Sequence, residues 1–194
     1  MAITQPIRNK DDISALVSFY RDRGQYRNYA LIVLGLYTAL RISDILRLLW
    51  DDVYDFENRR FRNTIDIVEK KTGKSKTIAL NGDVVTALTL LAEHAACPGH
   101  SIIENAGTGK AISRVQAYRI VRAASESLQL EVRVSCHSLR KTFGYHAWKS
   151  GVSPVVIMDI YNHSSLAVTR RYLGVSQDDR NSVYLNLNLL DPAV

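Results

Sequence analysis

The chain has 194 residues, 46% hydrophobic and 23% charged, which suits one domain with a sizeable core. Its net charge of +6 and pI near 9.4 favour a polyanionic partner, nucleic acid first. No apolar run reaches the roughly 18 residues of a membrane helix, the start "MAITQPIRNKDD" has no secretory signal, and two cysteines, Cys97 and Cys136, make no disulfide framework and fit a reducing cytoplasm.

"NKDDISALVSFYRDRG" predicts a capped helix whose apolar stripe is Ile13, Leu16, Val17 and Tyr20, stopped at Gly24. "YRNYALIVLGLYTAL" is apolar almost all round and predicts a buried central helix. "SDILRLLW" predicts a short helix with Ser43 as N-cap. The period then changes: "RFRNTIDIVEKKTGKSKTIAL" alternates in two arms around Gly73 and predicts a hairpin. Asn81 caps a helix over "NGDVVTALTLLAEHAA", "GTGKAIS" is a loop, and Ser113 caps "SRVQAYRIVRAASESLQL". "HSLRKTFGYHAWKSG" is a helix ending at Gly151, and Ser153 with Pro154 opens "SPVVIMDIYNH". Ser176 and Asp179 have capping-box spacing for a last helix. The fold class expected is α+β, mainly helical, with a small antiparallel sheet.

Several polar residues stand where a core or a plain surface does not require them. Arg41 follows the buried helix, and an arginine there must be paired, with Asp44 within reach, or must face a ligand. His137 and Arg140 share a helix face at i and i+3, a pair suited to a phosphate. His163 and Tyr172 are nine residues apart, so they converge only if His163 precedes a helix capped by Ser164 or Ser165. Lys70, Lys71, Lys74 and Lys76 cluster in the hairpin, as a solubilising turn or as a finger that reaches DNA. On the helix after Ser113, the residues Ala117, Ile120, Val121, Ala124 and Leu128 form a core arc. Arg114, Tyr118, Arg119 and Arg122 form the opposite arc, a candidate for the DNA major groove or a solvated basic face. No CxxC, HExxH or P-loop pattern occurs, so neither metal nor cofactor is expected.

In the order Arg, Lys, His-x-x-Arg, His, Tyr, the sequence resembles the tyrosine recombinases, or phage integrase family. The matching stretches are "TALRISDIL", "KKTGKSKTIAL", "HSLRKTF" and "NHSSLAVTRRYL", and the resemblance runs from Ile7 to Leu190. It implies that family's catalytic-domain fold over residues 1–175, with 176–194 as a helical tail of the same domain. It implies Arg41 and Arg140 as catalytic arginines, Lys71 as the hairpin lysine, His137 and His163 as the two histidines, and Tyr172 as the nucleophile. Asp44 takes the place of the usual Glu that supports the first arginine. Lys74 and Lys76 then join the helix arc as DNA contacts.

Two departures stand out. Tyr161-Asn162-His163 replaces the family's usual Leu-Gly-His, which puts a second tyrosine near the site. Most members also carry an N-terminal helical domain. This sequence opens at the catalytic region, either as a piece of something longer or like the short fimbrial-switch recombinases. The function implied is breaking and rejoining DNA through a 3′-phosphotyrosyl intermediate. The alternatives are type IB topoisomerase-like relaxation and a DNA-binding integrase fragment. The partners implied are double-stranded DNA, three further copies of the chain in a tetramer on DNA (a monomer alone), and accessory excision or bending proteins, in the cytoplasm at the nucleoid. The tail residues Val183, Leu187 and Leu190 share one face beside Tyr184 and need burial in cis or on a neighbour.

Overall fold

The computed structural model describes residues 4–94 and 100–189. Asn9 accepts the Asp11 N–H and opens α1 (Lys10–Arg21), which buries Leu16 and Tyr20 from the expected stripe. The Tyr20 hydroxyl donates to the Ile120 carbonyl at 2.7 Å, tying this first helix to a distant one. Helix α2 (Tyr26–Tyr37) is buried continuously from Tyr29 to Leu36, as its lack of a polar face requires. Each such Leu or Ile contributes roughly 1.5–3 kcal/mol of burial. Gly35 lets the later helix of Leu139 approach closely, because a methyl at 35 would lie 2.6 Å from Leu139 Cδ1.

The chain leaves α2 through Ala39, held in left-handed backbone at φ 54° and fully buried. Helix α3 (Ile42–Ile45) follows with Arg41, not the expected Ser43, at the N-cap. The Arg41 carbonyl already accepts the N–H groups of Asp44 and Ile45 at 2.8 and 3.0 Å, so the turn starts two residues early. After α4 (Trp50–Val53) come β1 (Tyr54–Asp55) and β2 (Arg60–Phe61), an antiparallel pair.

The expected hairpin is β3 (Thr64–Val68) with β4 (Ser75–Ala79), its turn passing through Gly73 at φ 66°. Its register sets Ile65 opposite Ile78 and Ile67 opposite Lys76. Asn81 accepts the Val84 N–H at 2.9 Å near the start of α5 (Gly82–His94). The segment "GTGKAIS", expected as a loop, carries β6 (Lys110–Ala111), which pairs with β5 (Glu104–Asn105) just before it; strands of two residues are too short to carry a period.

Ser113 and Gln116 cap each other at the head of α6 (Arg114–Ser127), which buries Ala117, Val121 and Ala124. Ser135 caps α7 (Cys136–Lys149), and Gly151 ends that turn. Ser153 and Pro154 open α8 (Pro154–Tyr161) as expected. Of the two candidate serines, Ser165 caps α9 (Leu166–Leu173). A small second core of Ala39, Ile157, Tyr161 and Leu173 underlies these last helices. The N-terminal segment laces across them: Lys141 Nζ donates to the Thr4 carbonyl at 2.6 Å, and Arg8 Nη2 to the Gly174 carbonyl at 2.8 Å.

Ser176 and Asp179 form the predicted capping box of α10 (Gln177–Asn186), and Lys149 Nζ pairs with Asp179 Oδ1 at 2.5 Å. The apolar face beyond them finds no cover among the described residues. Val183, Tyr184, Leu185, Leu187 and Leu189 are 61–83% exposed. Leu190, the third residue of the expected stripe, lies outside the described residues, as does Cys97. Among the described residues, no helix is long and apolar enough to cross a membrane.

Candidate active site

A cleft of about 1220 Å³ opens between the β3–β4 hairpin and helices α3, α6, α7 and α9. Arg41, Lys70, Lys71, Arg114, Arg133 and Arg140 line it together with His137 and Tyr172, and among the described residues no carboxylate joins them. Six cations around one concavity make a site for an anion with several oxygens.

The local fold explains how residues far apart in sequence meet there. Arg41 emerges from the α2–α3 junction, whose left-handed Ala39 turns the backbone toward α7. Arg140 sits one turn into α7 and is 1% exposed. Its Nη1 donates to the Ala39 carbonyl, and its Nη2 to the Tyr161 carbonyl at 3.0 Å. Its buried Nε has no hydrogen-bond partner among the described residues. His137 lies three residues before Arg140 on the same face.

His163 occupies the turn between α8 and α9. Asn162 takes left-handed backbone at φ 52°, an arrangement asparagine tolerates well. That turn brings His163 back over α9, with its ring centroid 4.4 Å from that of Tyr172. The His137 ring centroid is 4.9 Å from that of Tyr172. The convergence that the nine-residue spacing permits only through a capped turn is therefore present. His163 Nδ1 is 3.0 Å from Thr169 Oγ1, and its buried Nε2 has no partner among the described residues. Lys141 Nζ lies 5.5 Å from the Tyr172 ring centroid.

The carboxylate beneath the arginines is Glu69, not Asp44. Glu69 is fully buried, with Oε2 2.8 Å from Arg41 Nη1 and Oε1 4.0 Å from Arg140 Nη1. Asp44 instead accepts the Lys70 backbone N–H at 2.9 Å and so anchors the base of the hairpin. Burial would raise the Glu69 carboxyl, but hydrogen bonds from Thr72 and Arg41 prevail and hold it below its ordinary value. The strand itself carries a signal for Glu69. Ile65, Ile67 and Glu69 continue one inward-facing alternation, and an acid on such a face needs a buried cation.

The same alternation corrects Lys76. Expected at the DNA surface, it faces inward beside Ile78, and its buried Nζ has no hydrogen-bond partner among the described residues. Burial, with Arg140 and Arg41 nearby, pulls its ammonium down to about 8. Lys71 and Lys74 are exposed as expected, Lys71 on the cleft rim. Arg114 and Tyr118 also reach the cleft. Arg119 is exposed outside it, and Arg122 is committed to an ion pair with Glu126 on its own helix, so it is not a free member of the basic arc. Sequence reasoning missed Arg133 and Lys141, which no local pattern marks.

Burial, and then the neighbouring cations, pull both histidines down to about 4. Each is neutral at pH 7, so either can accept a proton or a hydrogen bond. Tyr161, the second tyrosine, is fully buried and donates its hydroxyl to the Arg140 carbonyl at 2.5 Å. Among the described residues, no three His, Cys, Asp or Glu side chains are grouped to hold a metal ion.

A family model described as "Phage integrase family" matches residues 8–178. The chain is 34% identical over 188 residues to the probable integrase/recombinase YoeC of Bacillus subtilis strain 168, covering 95% of this chain and 97% of that protein. It is 30% identical over 150 residues to the type 1 fimbriae regulatory protein FimE of Escherichia coli K12, covering 75% and 73%. It spans 55% of the tyrosine recombinase XerA of Pyrococcus furiosus, at 26% identity over 83% of this chain. Among solved structures, a XerA recombinase superposes with a TM-score of 0.75 at 20% identity, over 94% of this chain and 65% of that one. XerH bound to its difH substrate after cleavage superposes at 0.74 and 17%, over 95% and 54%. The mainly helical fold with small antiparallel sheets is the one those recombinases share.

Proposed function

The chain belongs to the phage integrase family and is a tyrosine recombinase, and from that premise we propose that it breaks and rejoins double-stranded DNA through a covalent 3′-phosphotyrosyl intermediate. The observation that carries this reading is the convergence of Arg41, His137, Arg140, His163 and Tyr172 around one cationic cleft.

Tyr172 is the nucleophile. Its oxygen attacks a backbone phosphorus, the P–O bond to the 5′-oxygen breaks, and the phosphate remains esterified to the tyrosine. A 5′-hydroxyl then attacks in the reverse sense and releases the enzyme. Bond energy is conserved across the two steps, so the cycle needs no ATP. Arg41 and Arg140, both on the cleft wall, bind the non-bridging oxygens, where negative charge grows in the transition state. Neutral His137 takes the tyrosine proton, whose ordinary pKa is about 10. His163 adds a hydrogen bond through Nε2. Lys71, on the hairpin rim, protonates the departing 5′-oxygen.

Arg114, Tyr118, Arg119, Lys74 and Arg133 extend the positive surface along the duplex. The exposed apolar face of α10 and the residues after it seat on a neighbouring protomer when copies assemble on DNA, up to a tetramer. Truncation after Ser176 then preserves single-copy DNA binding and removes cooperative assembly. A truncated chain that still assembles on DNA contradicts that part.

The reading is tested by incubating the protein with sheared host-genome DNA, quenching with detergent, and sequencing the fragments covalently retained. Retained fragments sharing one sequence support a site-specific recombinase. Unselective attachment accompanied by relaxation of supercoiled plasmid favours a topoisomerase. No retained DNA contradicts covalent chemistry.

A further inference from the structure

Tyr161 and Gly144 are engaged with Arg140 in a way the proposed chemistry does not use. Tyr161 ends α8, yet its side chain turns back onto α7. There the phenol hydroxyl donates to the Arg140 carbonyl at 2.5 Å, while Arg140 Nη2 donates to the Tyr161 carbonyl at 3.0 Å. The two residues thus exchange hydrogen bonds, side chain to backbone in both directions. The Arg140 guanidinium carbon also lies 4.5 Å from the Tyr161 ring centroid, within cation–π range. Both residues are buried, at 0% and 1% exposure, so neither bond competes with water.

The phenol reaches the α7 backbone only because residue 144 is glycine. A Cβ there would lie 2.3 Å from the Tyr161 hydroxyl oxygen and 2.9 Å from two ring carbons. Those atoms belong to a buried ring with no room to swing. Large at 161 and absent at 144 is therefore one volume shared by two positions. The same ring is 5.3 Å from Tyr172 and 5.0 Å from His163, centroid to centroid. Tyr161 thus packs against three residues of the proposed site, Arg140, His163 and Tyr172.

Resting on the function proposed above, we infer that Tyr161 is the positioning residue of Arg140, and that Gly144 is the cavity that admits it. The Nη atoms are fixed by Ala39 and Tyr161, which holds the guanidinium in one orientation at the wall of the cleft. A displacement of about 1 Å in such a group costs roughly 100-fold in rate.

The test uses the whole chain carrying Tyr161→Phe, Tyr161→Leu, Gly144→Ala, and the double variant that combines Tyr161→Leu with Gly144→Ala. Three quantities are read: thermal stability, affinity for inorganic phosphate, and cleavage rate against binding constant on the DNA recovered by covalent retention. Tyr161→Leu should bind DNA within about twofold of wild type and cleave it roughly 100-fold more slowly. Tyr161→Phe keeps the ring and should fall by about tenfold. Gly144→Ala should lower the melting temperature in the wild-type background and much less beside Tyr161→Leu, a non-additivity that marks a shared volume.

A Tyr161→Leu variant that cleaves at the wild-type rate while folded overturns the inference, as does additivity of the two substitutions. A rate loss that only follows the unfolded fraction also overturns it. If the wild type captures no DNA, the recombinase reading fails on its own. The phosphate measurement then decides the positioning: weaker binding in Tyr161→Leu, matching Arg140→Ala, supports it, and wild-type affinity in that variant sinks it.

Discussion

The floor of the cleft and its rim are built on opposite plans. On the floor, Arg140 is 1% exposed and pinned by two backbone carbonyls, and Glu69 lies fully buried beneath both arginines. On the rim, Lys70, Lys71 and Lys74 are all exposed at a hairpin turn. That turn is fastened at its base, by Asp44 to the Lys70 N–H and by Glu69 to the Thr72 hydroxyl at 2.8 Å. The difference matches what the proposed chemistry would ask of each part. Groups that stabilise developing charge gain by not reorganising when the reaction occurs. A proton donor must follow a leaving oxygen whose position depends on bound DNA, and a tethered, solvated lysine can move to it.

Floor and rim should differ most in stability, and most of all at Glu69. Glu69→Ala leaves the buried Arg140 guanidinium and the half-buried Arg41 guanidinium without their anion and should cost roughly 3–5 kcal/mol in stability, read from urea unfolding. No rim substitution should approach that. Arg41→Ala and Arg140→Ala should each slow cleavage by about 10²–10³-fold or more, with folding retained. Wild-type cleavage in either would make that arginine a purely structural partner of Glu69.

On the rim, Lys71→Ala should slow cleavage by about 10²-fold and leave stability unchanged. A substrate with sulfur in place of the scissile 5′-oxygen should restore the rate, because sulfur leaves without a general acid. Lys74→Ala should instead lower the salt dependence of DNA binding by about one ion. Lys76→Met should leave that slope unchanged, since its ammonium is buried.

The smallest effect is on pH. His137 and His163 titrate near 4 in the folded chain, against about 6.5 when unfolded. Between those values the unfolded chain binds more protons, so stability is intact above 6.5 and is lost as pH falls toward 4. The urea midpoint should drop over that interval, and His137→Gln should shallow the drop. Asp179, held near 2 despite burial by Lys149 and Ser176, acts only below that window.

Much of this is legible in the sequence, for reasons particular residues make plain. Ser113, Ser153 and Ser176 announce helices because a cap is a local hydrogen bond, and each forms as read. His163 and Tyr172 can be judged able to meet because helical geometry limits the ways they can. Asp44 and Lys76 mislead because pairing and burial are tertiary facts. Asp44 is near Arg41 in sequence, but the strand bearing Glu69 passes nearer in space. Lys76 belongs to a lysine-rich run that looks solvated throughout, and only the strand alternation turns it inward. Strands of two residues, such as β1 and β5, hold no period to detect.

The most direct test is to digest the DNA-bound complex with protease and nuclease, and to identify by mass spectrometry the peptide carrying a nucleotide phosphate. The adduct should fall on Tyr172, within "RRYLGVSQDDR" or its fragments, and disappear in Tyr172→Phe. An adduct on Tyr161, or covalent attachment that survives Tyr172→Phe, would contradict it.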